Sequence, residues 1–353
     1  MILFTFFINC MARYNYQKKD HSLLSPVFQH YLVAPLVSII PWGVPANIIT
    51  LLANLFLYLA LYFVLDAHLL GRANFIVIPA LLLLYLVSKG LDGAQARKTN
   101  TETPLGEFWS HFLGTFENGI VLYIMFTFFQ VDNVLLFVIA LLFNYLSEMA
   151  MYYEQYKTGW LVWDHIHTLE KIGLTVLLMV VSSIDVLYQF LIEDRFSSLS
   201  LFELFLALVA LSGLITFVKT ITRSTNLTYG IWLFVLLLVI VSFFSAFLYS
   251  PLGVVIIITL YSCLYIGKLL RAHLVDGVER SPGIFTPLFL LIVFFTDDFF
   301  DVNTIYIITL YLLVNIVLLA FYTSKALKDH WIWTNPIPAK KRRKTKPKGR
   351  IKP

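Results

Sequence analysis

Charged residues are scarce in this sequence: Asp, Glu, Lys and Arg make up 13% of its 353 residues, whereas 59% are hydrophobic. Soluble globular proteins carry about 25% charged residues, so this composition excludes that class and indicates a polytopic membrane protein. Cysteine is also scarce. The only two, Cys10 and Cys263, lie far apart in sequence, so neither a disulfide framework nor a cysteine metal site is predicted.

Ten stretches are apolar for long enough to cross the hydrocarbon core of a bilayer, which is about 30 Å thick, as α-helices. The predicted fold class is therefore an all-α integral membrane protein with about ten transmembrane helices. The stretches lie near residues 45–66, 74–91, 106–130, 133–153, 168–190, 199–222, 229–249, 252–273, 283–298 and 302–324.

The basic residues between these stretches test the count, because short cytoplasmic loops retain Lys and Arg. Of the 26 Lys and Arg residues, 23 fall in the N-terminal segment, in alternate loops and in the C-terminal tail. The intervening loops carry only Arg72 and Arg195, and Lys89 remains inside a span. This distribution predicts that both termini are cytoplasmic, in agreement with an even number of spans.

Three regions are predicted along the chain. Residues 1–43 mix basic, aromatic and apolar side chains and are expected to lie in the membrane interface. Residues 44–325 form the membrane domain, and residues 326–353 form a basic cytoplasmic tail. The tail is suited to anionic lipid headgroups, to a targeting signal, to nucleic-acid contact or, more simply, to a solvated segment that helps to fix topology. The apolar start lacks the features of a signal peptide, and Met11 is an alternative start.

The most polar stretch between two apolar segments is LDGAQARKTNTETPLGEFWSHFLGTF, residues 91–116. It connects the second and third predicted spans on the cytoplasmic side, and ionisable residues at that depth are functional candidates. Within it, one set of residues has the spacing of the first half of the signature of the CDP-alcohol phosphotransferases. These membrane enzymes move a phospho-headgroup from a cytidine diphosphate carrier onto a lipid alcohol. The residues are Asp92, Gly93, Ala96, Arg97 and Gly106.

The segment DGAQARKTNTETPLGE resembles the corresponding part of the choline and ethanolamine phosphotransferases of eukaryotic type. PWGVPANIIT, YEQYKTGWLVWDHIHTLE and AHLVDGVERSPGIFTPLFLL resemble further parts of that branch in the same order. The resemblance covers about residues 13–325 and implies a ten-span fold, a CDP-alcohol and a diacylglycerol-like membrane lipid as ligands. It implies the endoplasmic reticulum or Golgi in a eukaryote and the inner membrane in a bacterium.

The physical sense of this half of the motif can be stated independently of the family. A diphosphate needs close backbone approach, which Gly93 and Ala96 permit, and cationic donors, which the planar fork of Arg97 supplies. Asn47 and Gly106 keep family positions and are expected to line the nucleotide side.

The metal side of the signature departs from the family. The full pattern reads D-x-x-D-G-x-x-A-R-x8-G-x3-D-x3-D, and its four Asp residues hold two Mg²⁺ or Mn²⁺ ions. In this chain those positions are Lys89, Asp92, Ser110 and Gly114, so Asp92 alone remains as a weak ligand. A like-charge contact at about 4 Å costs on the order of 4 kcal/mol at an effective dielectric of about 20, so Lys89 opposes a cation there. Mg²⁺ or Mn²⁺ is therefore expected only if the protein is active, and tight metal binding is not predicted.

Lys89 has two interpretations. It either replaces a metal, by pairing with Asp92 or by contacting a phosphate, or it only neutralises Asp92 inside the membrane. The small residues Gly106, Ser110 and Gly114, spaced four apart, also suit close packing of membrane helices.

His111 and Glu170 match two residues that act together in the choline and ethanolamine branch, where they deprotonate the lipid hydroxyl. A His tuned by a carboxylate is a suitable general base near neutral pH. The alternative is a structural role in which His111 bonds a neighbouring backbone group or Glu170. Glu117 would partly replace the lost carboxylates if its side chain points inward.

Two functions remain open. The missing ligands favour a catalytically silent or repurposed relative that keeps the fold and a lipid or nucleotide pocket, alone, as a homodimer or with an active relative. The retained Asp92, Arg97, His111 and Glu170 favour an active phosphotransferase with an atypical site. A transporter has little support because the intramembrane charges cluster at one hairpin, and no nucleic-acid partner is expected.

Overall fold

The computed structural model of this chain describes residues 17–66, 69, 71–196, 199–296 and 304–327. The predictions made for Cys10, for Met11 and for the tail beyond Leu327 concern residues outside these ranges.

Helices make up most of the described chain, and two short ladders accompany them. Strand β1 (Lys18–Asp20) pairs in parallel with β2 (Leu161–Trp163), and β3 (Asp194–Phe196) pairs antiparallel with β4 (Leu199–Ser200). The predicted all-α class therefore holds, with these ladders as additions. The helices are α1 (Ser25–Phe28), α2 (Ala34–Ile39), α3 (Ala46–Leu65), α4 (Asn74–Thr99), α5 (Pro104–Phe128), α6 (Val134–Thr158), α7 (Thr168–Val181), α8 (Asp185–Ile192), α9 (Leu201–Arg223), α10 (Tyr229–Leu248), α11 (Pro251–Arg271), α12 (Phe285–Thr296) and α13 (Thr304–Leu327), with π-helical turns at Gln29–Val33 and Ala272–Asp276.

Seven of the described helices are long and apolar enough to cross a bilayer, namely α3, α4, α6, α9, α10, α11 and α13. The protein is therefore an integral membrane protein. The other three predicted spans coincide with α5, with α7 and α8 together, and with α12. Helix α5 has 25 residues but carries the polar side chains of His111, Glu117 and Asn118, while α7 and α12 have 14 and 12 residues. The count of ten spans and the cytoplasmic placement of both termini stay predictions.

The fifth predicted span is broken into α7 and α8. Helix α7 ends at Val181, and the next residue, Ser182, donates its hydroxyl to the carbonyl of Leu178 at 2.8 Å. Ile184 then adopts an extended conformation before α8 begins. Serine side chains offer the backbone such local alternatives to helix continuation, which explains the break inside an apolar run.

Capping residues set the helix ends around the polar hairpin. Helix α4 ends at Thr99, and the residue that caps it, Asn100, has a left-handed φ of 55°. Helix α5 begins after Thr103, whose hydroxyl accepts the N–H of Gly106 at 3.0 Å, and Pro104 fits the first turn. Residues 100–103 alone therefore connect two long helices and hold their polar ends together.

Helix α11 lies at the centre of the membrane domain. Of the residues in its most apolar window, 83% are buried, against 61% or less in the other six spanning helices. It contacts α5, α6, α10 and α13. At Gly267 an added Cβ would lie 2.6 Å from the Phe112 ring and 2.8 Å from Leu319, so glycine permits the close approach of α5 and α13.

The N-terminal segment, residues 17–44, crosses the ends of α4 and α6. Lys98 of α4 donates to the carbonyls of Val37 and Ile40, both at 2.6 Å. The side chains of Tyr31 and Ile39 remain 70% and 76% exposed. Outward-facing apolar groups of this kind suit a segment that lies in the membrane interface.

Candidate functional site

A cavity of about 330 Å³, whose lining includes many polar side chains, opens among α3 to α7, α9 and the N-terminal segment. The structure brings ten of the eleven predicted site residues to its wall and leaves Glu170 outside the lining. The ten are Asn47, Lys89, Asp92, Gly93, Ala96, Arg97, Gly106, Ser110, His111 and Gly114.

Lys89 forms an ion pair inside this cavity. Its Nζ lies 2.8 Å from Oε2 of Glu117, and the Tyr85 hydroxyl donates to the same oxygen at 2.9 Å. The Lys89 ammonium also donates to the backbone carbonyl of Ser110 at 3.4 Å. The side chain of Glu117 is 1% exposed and that of Lys89 is 23% exposed. Glu117 therefore points inward, and the ion-pair partner of Lys89 is Glu117 on α5 rather than its neighbour Asp92 on α4.

Gly114 leaves space beside this ion pair. An added Cβ would lie 3.9 Å from Oε2 of Glu117 and 4.0 Å from Nζ of Lys89, which is ordinary van der Waals contact. Together with Ser110 it faces the cavity, so the stripe of small residues lines a pocket here. Gly106 has a different role at the start of α5, where an added Cβ would approach the capping hydroxyl of Thr103 to 3.3 Å.

Asp92 is buried one turn after Lys89. The Ser110 hydroxyl donates to its Oδ2 at 3.4 Å. The position that the family signature reserves for a third carboxylate therefore holds a hydroxyl that donates to the remaining one. A donor at this place supports a carboxylate and supplies no further negative charge.

Arg97 lies at the mouth of the cavity with an exposed side chain. Its guanidinium folds back over Gly93, since an added Cβ at that glycine would lie 3.3 Å from Nη1. Within the described residues, no group accepts a hydrogen bond from this guanidinium. Its planar fork of donors is therefore available to an anionic ligand.

His111 packs edge-on against Tyr152, with ring centroids 5.5 Å apart. Glu148 of α6 also lines the cavity, and sequence reasoning missed it. Its two carboxylate oxygens accept from the Thr115 hydroxyl at 2.9 Å and from the Asn118 amide at 2.8 Å. An acidic residue inside an otherwise apolar span was the available signal, because such residues usually face a polar interior.

Glu170 caps α7 and ties down the N-terminal segment. Its carboxylate accepts the N–H of His167 at 2.8 Å and the N–H of Leu24 at 3.0 Å, and it also accepts the hydroxyl of Ser22. Cooperation of Glu170 with His111 in proton transfer stays a prediction. These contacts give Glu170 a structural role, because they hold the N-terminal segment, whose Ser22 lines the cavity, against the start of α7.

Lys18 and Trp163 also line the cavity. Sequence reasoning missed them, because the contact between these two side chains depends on pairing of β1 with β2. Lys18 Nζ lies 3.2 Å from the centre of the Trp163 ring and 3.0 Å from Asp20. Burial lowers the pKa of the Lys18 ammonium, Asp20 opposes this shift, and Arg97 adds a like-charge repulsion. Two cations from separate segments therefore approach each other at the cavity mouth.

His167 stacks on Trp163 with ring centroids 4.8 Å apart. Burial, followed by repulsion from Lys171 and Lys18, lowers its pKa from 6.5 to about 3. Its imidazole is therefore neutral at physiological pH. A neutral ring can stack on Trp163 without adding charge to the cavity.

The residues present do not fit a two-metal site. A divalent site of this kind needs several carboxylates around each ion, and two of the four signature positions carry no ionisable group. The Lys89 ammonium contacts the Glu117 carboxylate, so that carboxylate is already paired with a cation. Among the described residues, no group of three or more His, Cys, Asp and Glu side chains has the arrangement of a metal site.

Comparison with known proteins gives partial matches. Choline/ethanolaminephosphotransferase 1 of Arabidopsis thaliana is 32% identical over 109 residues, which is 30% of this chain and 28% of that protein. Ethanolaminephosphotransferase 1 of Homo sapiens is 26% identical over 212 residues, 53% of each chain. An uncharacterized CDP-alcohol phosphatidyltransferase class-I family protein of Schizosaccharomyces pombe is 26% identical over 159 residues, 42% of this chain and 40% of that protein.

No family model matches the chain. The matched regions span about half the length of the curated relatives or less. These three relatives carry the names of phosphotransferases or of a phosphatidyltransferase, however, and the signature residues from Asp92 to Gly106 line the same cavity. The chain is therefore similar to CDP-alcohol phosphotransferases, with choline and ethanolamine phosphotransferases among its relatives.

Proposed function

We propose that this protein keeps the fold and the carrier-binding cavity of a CDP-alcohol phosphotransferase but does not catalyse metal-dependent headgroup transfer. It would act in phospholipid metabolism as a regulator, a partner of an active relative or a lipid-binding protein. Its ligands would be a CDP-alcohol and a diacylglycerol-like lipid, in the membrane of the endoplasmic reticulum or Golgi.

The Lys89–Glu117 ion pair carries this proposal. In headgroup transfer, bound divalent ions neutralise the leaving diphosphate and orient it for attack. The four signature positions would carry four negative charges in the family, whereas Lys89 and Asp92 sum to zero and Ser110 and Gly114 are neutral. With Lys89 Nζ 2.8 Å from the nearest additional carboxylate, this half of the site is electrostatically satisfied without a metal ion.

An active enzyme with an atypical site is the second candidate. The observation in its favour is that His111 lines the same cavity as Asp92 and Arg97. A neutral imidazole beside a bound lipid hydroxyl would be able to act as a general base. That proposal needs the remaining charges to stabilise the leaving nucleotide.

The deciding experiment is reconstitution of the full chain in vesicles with diacylglycerol, CDP-ethanolamine or CDP-choline, and Mg²⁺ or Mn²⁺. Release of CMP and formation of phospholipid are measured, with His111→Ala as the matched variant and an authentic ethanolaminephosphotransferase as the positive control. We expect no turnover above that of His111→Ala. Metal-dependent turnover that disappears in His111→Ala would overturn the proposal and establish the active alternative.

A further inference from the structure

The part of the cavity wall formed by α4 carries two cations on one helical face. Lys89, Gly93 and Arg97 are spaced by four residues, so their side chains lie along one ridge, with about 6 Å of rise between successive positions. The Arg97 guanidinium folds back to within 3.3 Å of the Cβ position of Gly93. The Arg97 guanidinium therefore reaches back over Gly93, to about one helical turn from the Cα of Lys89.

The Lys89 ammonium keeps capacity for a ligand. An ammonium group has three donors. Two are used, by Glu117 at 2.8 Å and by the Ser110 carbonyl at 3.4 Å, and the side chain stays 23% exposed on the cavity wall. The third donor is thus available towards the cavity. Arg97 contributes a fork that is unbonded within the described residues.

The charges of the signature residues and of Glu117 balance without help from a metal ion. Lys89 and Arg97 supply two positive charges, and Asp92 and Glu117 supply two negative charges, so the four sum to zero. Both carboxylates are turned towards donors of the protein, since Ser110 bonds to Asp92 and Tyr85 bonds to Glu117. An arriving diphosphate therefore meets the Lys89 ammonium and the Arg97 guanidinium as its polar partners.

We infer that Lys89 is a tethered cation in the place of the divalent metal, so that Lys89 and Arg97 bind the diphosphate of a nucleoside diphosphate ligand in the absence of divalent ions. This inference rests on the proposed function, because it assigns how the retained cavity holds its carrier. It departs from the metal chemistry that the family resemblance implies.

The test is calorimetric titration of the purified full chain with CDP-ethanolamine, and with inorganic pyrophosphate as the minimal probe, in EDTA and in excess Mg²⁺. We expect the Kd in EDTA to lie within about twofold of the Kd in Mg²⁺. Combining Lys89→Met with Glu117→Gln should weaken binding about 10- to 100-fold, the range for a lost charge-assisted hydrogen bond. This double variant removes the carboxylate that Lys89→Met alone would leave without its ion-pair partner, so it is the informative variant if Lys89→Met alone does not fold.

Two further variants sharpen the result. Glu117→Gln alone frees the Lys89 ammonium from its carboxylate partner and should tighten binding about three- to tenfold. Lys219→Met, an exposed lysine of α9 outside the cavity wall, is the matched control and should leave Kd unchanged.

The outcomes separate this inference from the proposed function. The inference would be overturned by binding that requires Mg²⁺, or by binding that is as tight in the Lys89→Met, Glu117→Gln variant as in wild type. Neither result would contradict the proposed lack of catalytic activity. Failure to bind in either buffer would overturn both. Headgroup transfer that persists in EDTA would overturn the proposed silence while supporting the tethered cation.

Discussion

At the residue scale, the buried Glu117 carboxylate needs its ion pair with Lys89 more than the partly exposed Lys89 ammonium needs Glu117. Glu117 is 1% exposed, and the Lys89 ammonium is its only cationic partner among the described residues. Replacing Lys89 by Met should therefore leave a buried carboxylate without a counter-ion, at a cost of about 3–5 kcal/mol of unfolding free energy. The measurement is thermal unfolding in detergent.

A double-mutant cycle provides the control for that prediction. Adding Glu117→Gln to Lys89→Met removes the orphaned charge and keeps an acceptor for Tyr85, so most of the lost stability should return. Additive losses in the double variant would contradict an energetic link between the two residues.

The missing signature carboxylates can also be restored at the residue scale. The triple change Lys89→Asp, Ser110→Asp and Gly114→Asp brings Asp92, three new carboxylates and Glu117 together, and the Cβ needed at position 114 fits without a clash. Such a cluster should be unstable alone and stabilised by Mg²⁺ or Mn²⁺, because binding to the folded state alone raises stability. We expect the metal to raise the unfolding temperature of the triple variant and to leave that of wild type unchanged. An equal metal response in both would mean that wild type already holds the ion.

His167 gives a pH prediction. Burial lowers its pKa to about 3, whereas the unfolded chain should titrate near 6.5. Between these values the unfolded state binds a proton that the folded state excludes, so stability should fall as the pH drops from about 6.5 towards 3 and should not change for this reason above 6.5. Comparing unfolding of wild type and His167→Phe at pH 7 and pH 5 isolates this contribution. A His167→Phe protein that loses as much stability as wild type would contradict it.

At the element scale, Glu170 links α7 to the segment that covers the cavity. Glu170→Ala removes acceptors for Ser22, Leu24 and His167 and should cost about 0.5–2 kcal/mol, as the loss of a helix cap does. Because two of these partners lie in the N-terminal segment, hydrogen exchange should increase in residues 17–25. Glu203→Ala, which removes the equivalent cap of α9, is the matched control and should leave exchange in that segment unchanged. Unchanged exchange in Glu170→Ala would contradict a role of Glu170 in holding the N-terminal segment.

The helices themselves could be predicted from the sequence because long apolar runs have few alternatives in a membrane. The rotation of each helix about its own axis could not be predicted in this way. Whether Lys89 meets Asp92 or Glu117 depends on which face α5 turns to α4, and Glu117 lies 28 positions further along the chain. Pairing of β1 with β2 joins Lys18 to Leu161, and no local pattern in a three-residue strand specifies such a partner.

At the scale of the whole molecule, contacts between distant segments group the helix ends into two sets. One set contains the end of α4, where Lys98 contacts Val37, and the end of α6, which continues into β2 beside Lys18. The other set contains the start of α4, where Arg72 lies 2.9 Å from Asp185.

These two sets of helix ends favour a membrane crossing for each of the three predicted spans outside the seven spanning helices, which are α5, α7 with α8, and α12. Helices α4 and α6 both end on the side of the N-terminal segment, so we expect α5 to return across the membrane between them. Helix α7 begins beside that segment, while Asp185 at the start of α8 lies 2.9 Å from Arg72 in the other set, so we expect α7 to cross as well. Tyr249 at the end of α10 lies 2.7 Å from Thr304 at the start of α13, and on the ten-span prediction the segment that contains α12 is also a crossing.

Ten crossings and seven crossings predict different topologies, and this gives the last test. An even number places both ends of the chain on one side of the membrane, whereas seven crossings would place them on opposite sides. The strong bias of Lys and Arg to alternate loops favours the even number and a cytoplasmic location. We therefore expect epitope tags at the N-terminus and the C-terminus to be digested together by protease added to sealed cytoplasmic-side-out vesicles, while a tag in the loop that contains Arg72 resists until detergent is added. Protection of either terminal tag alone would show that one of α5, α7 or the α12 segment does not cross.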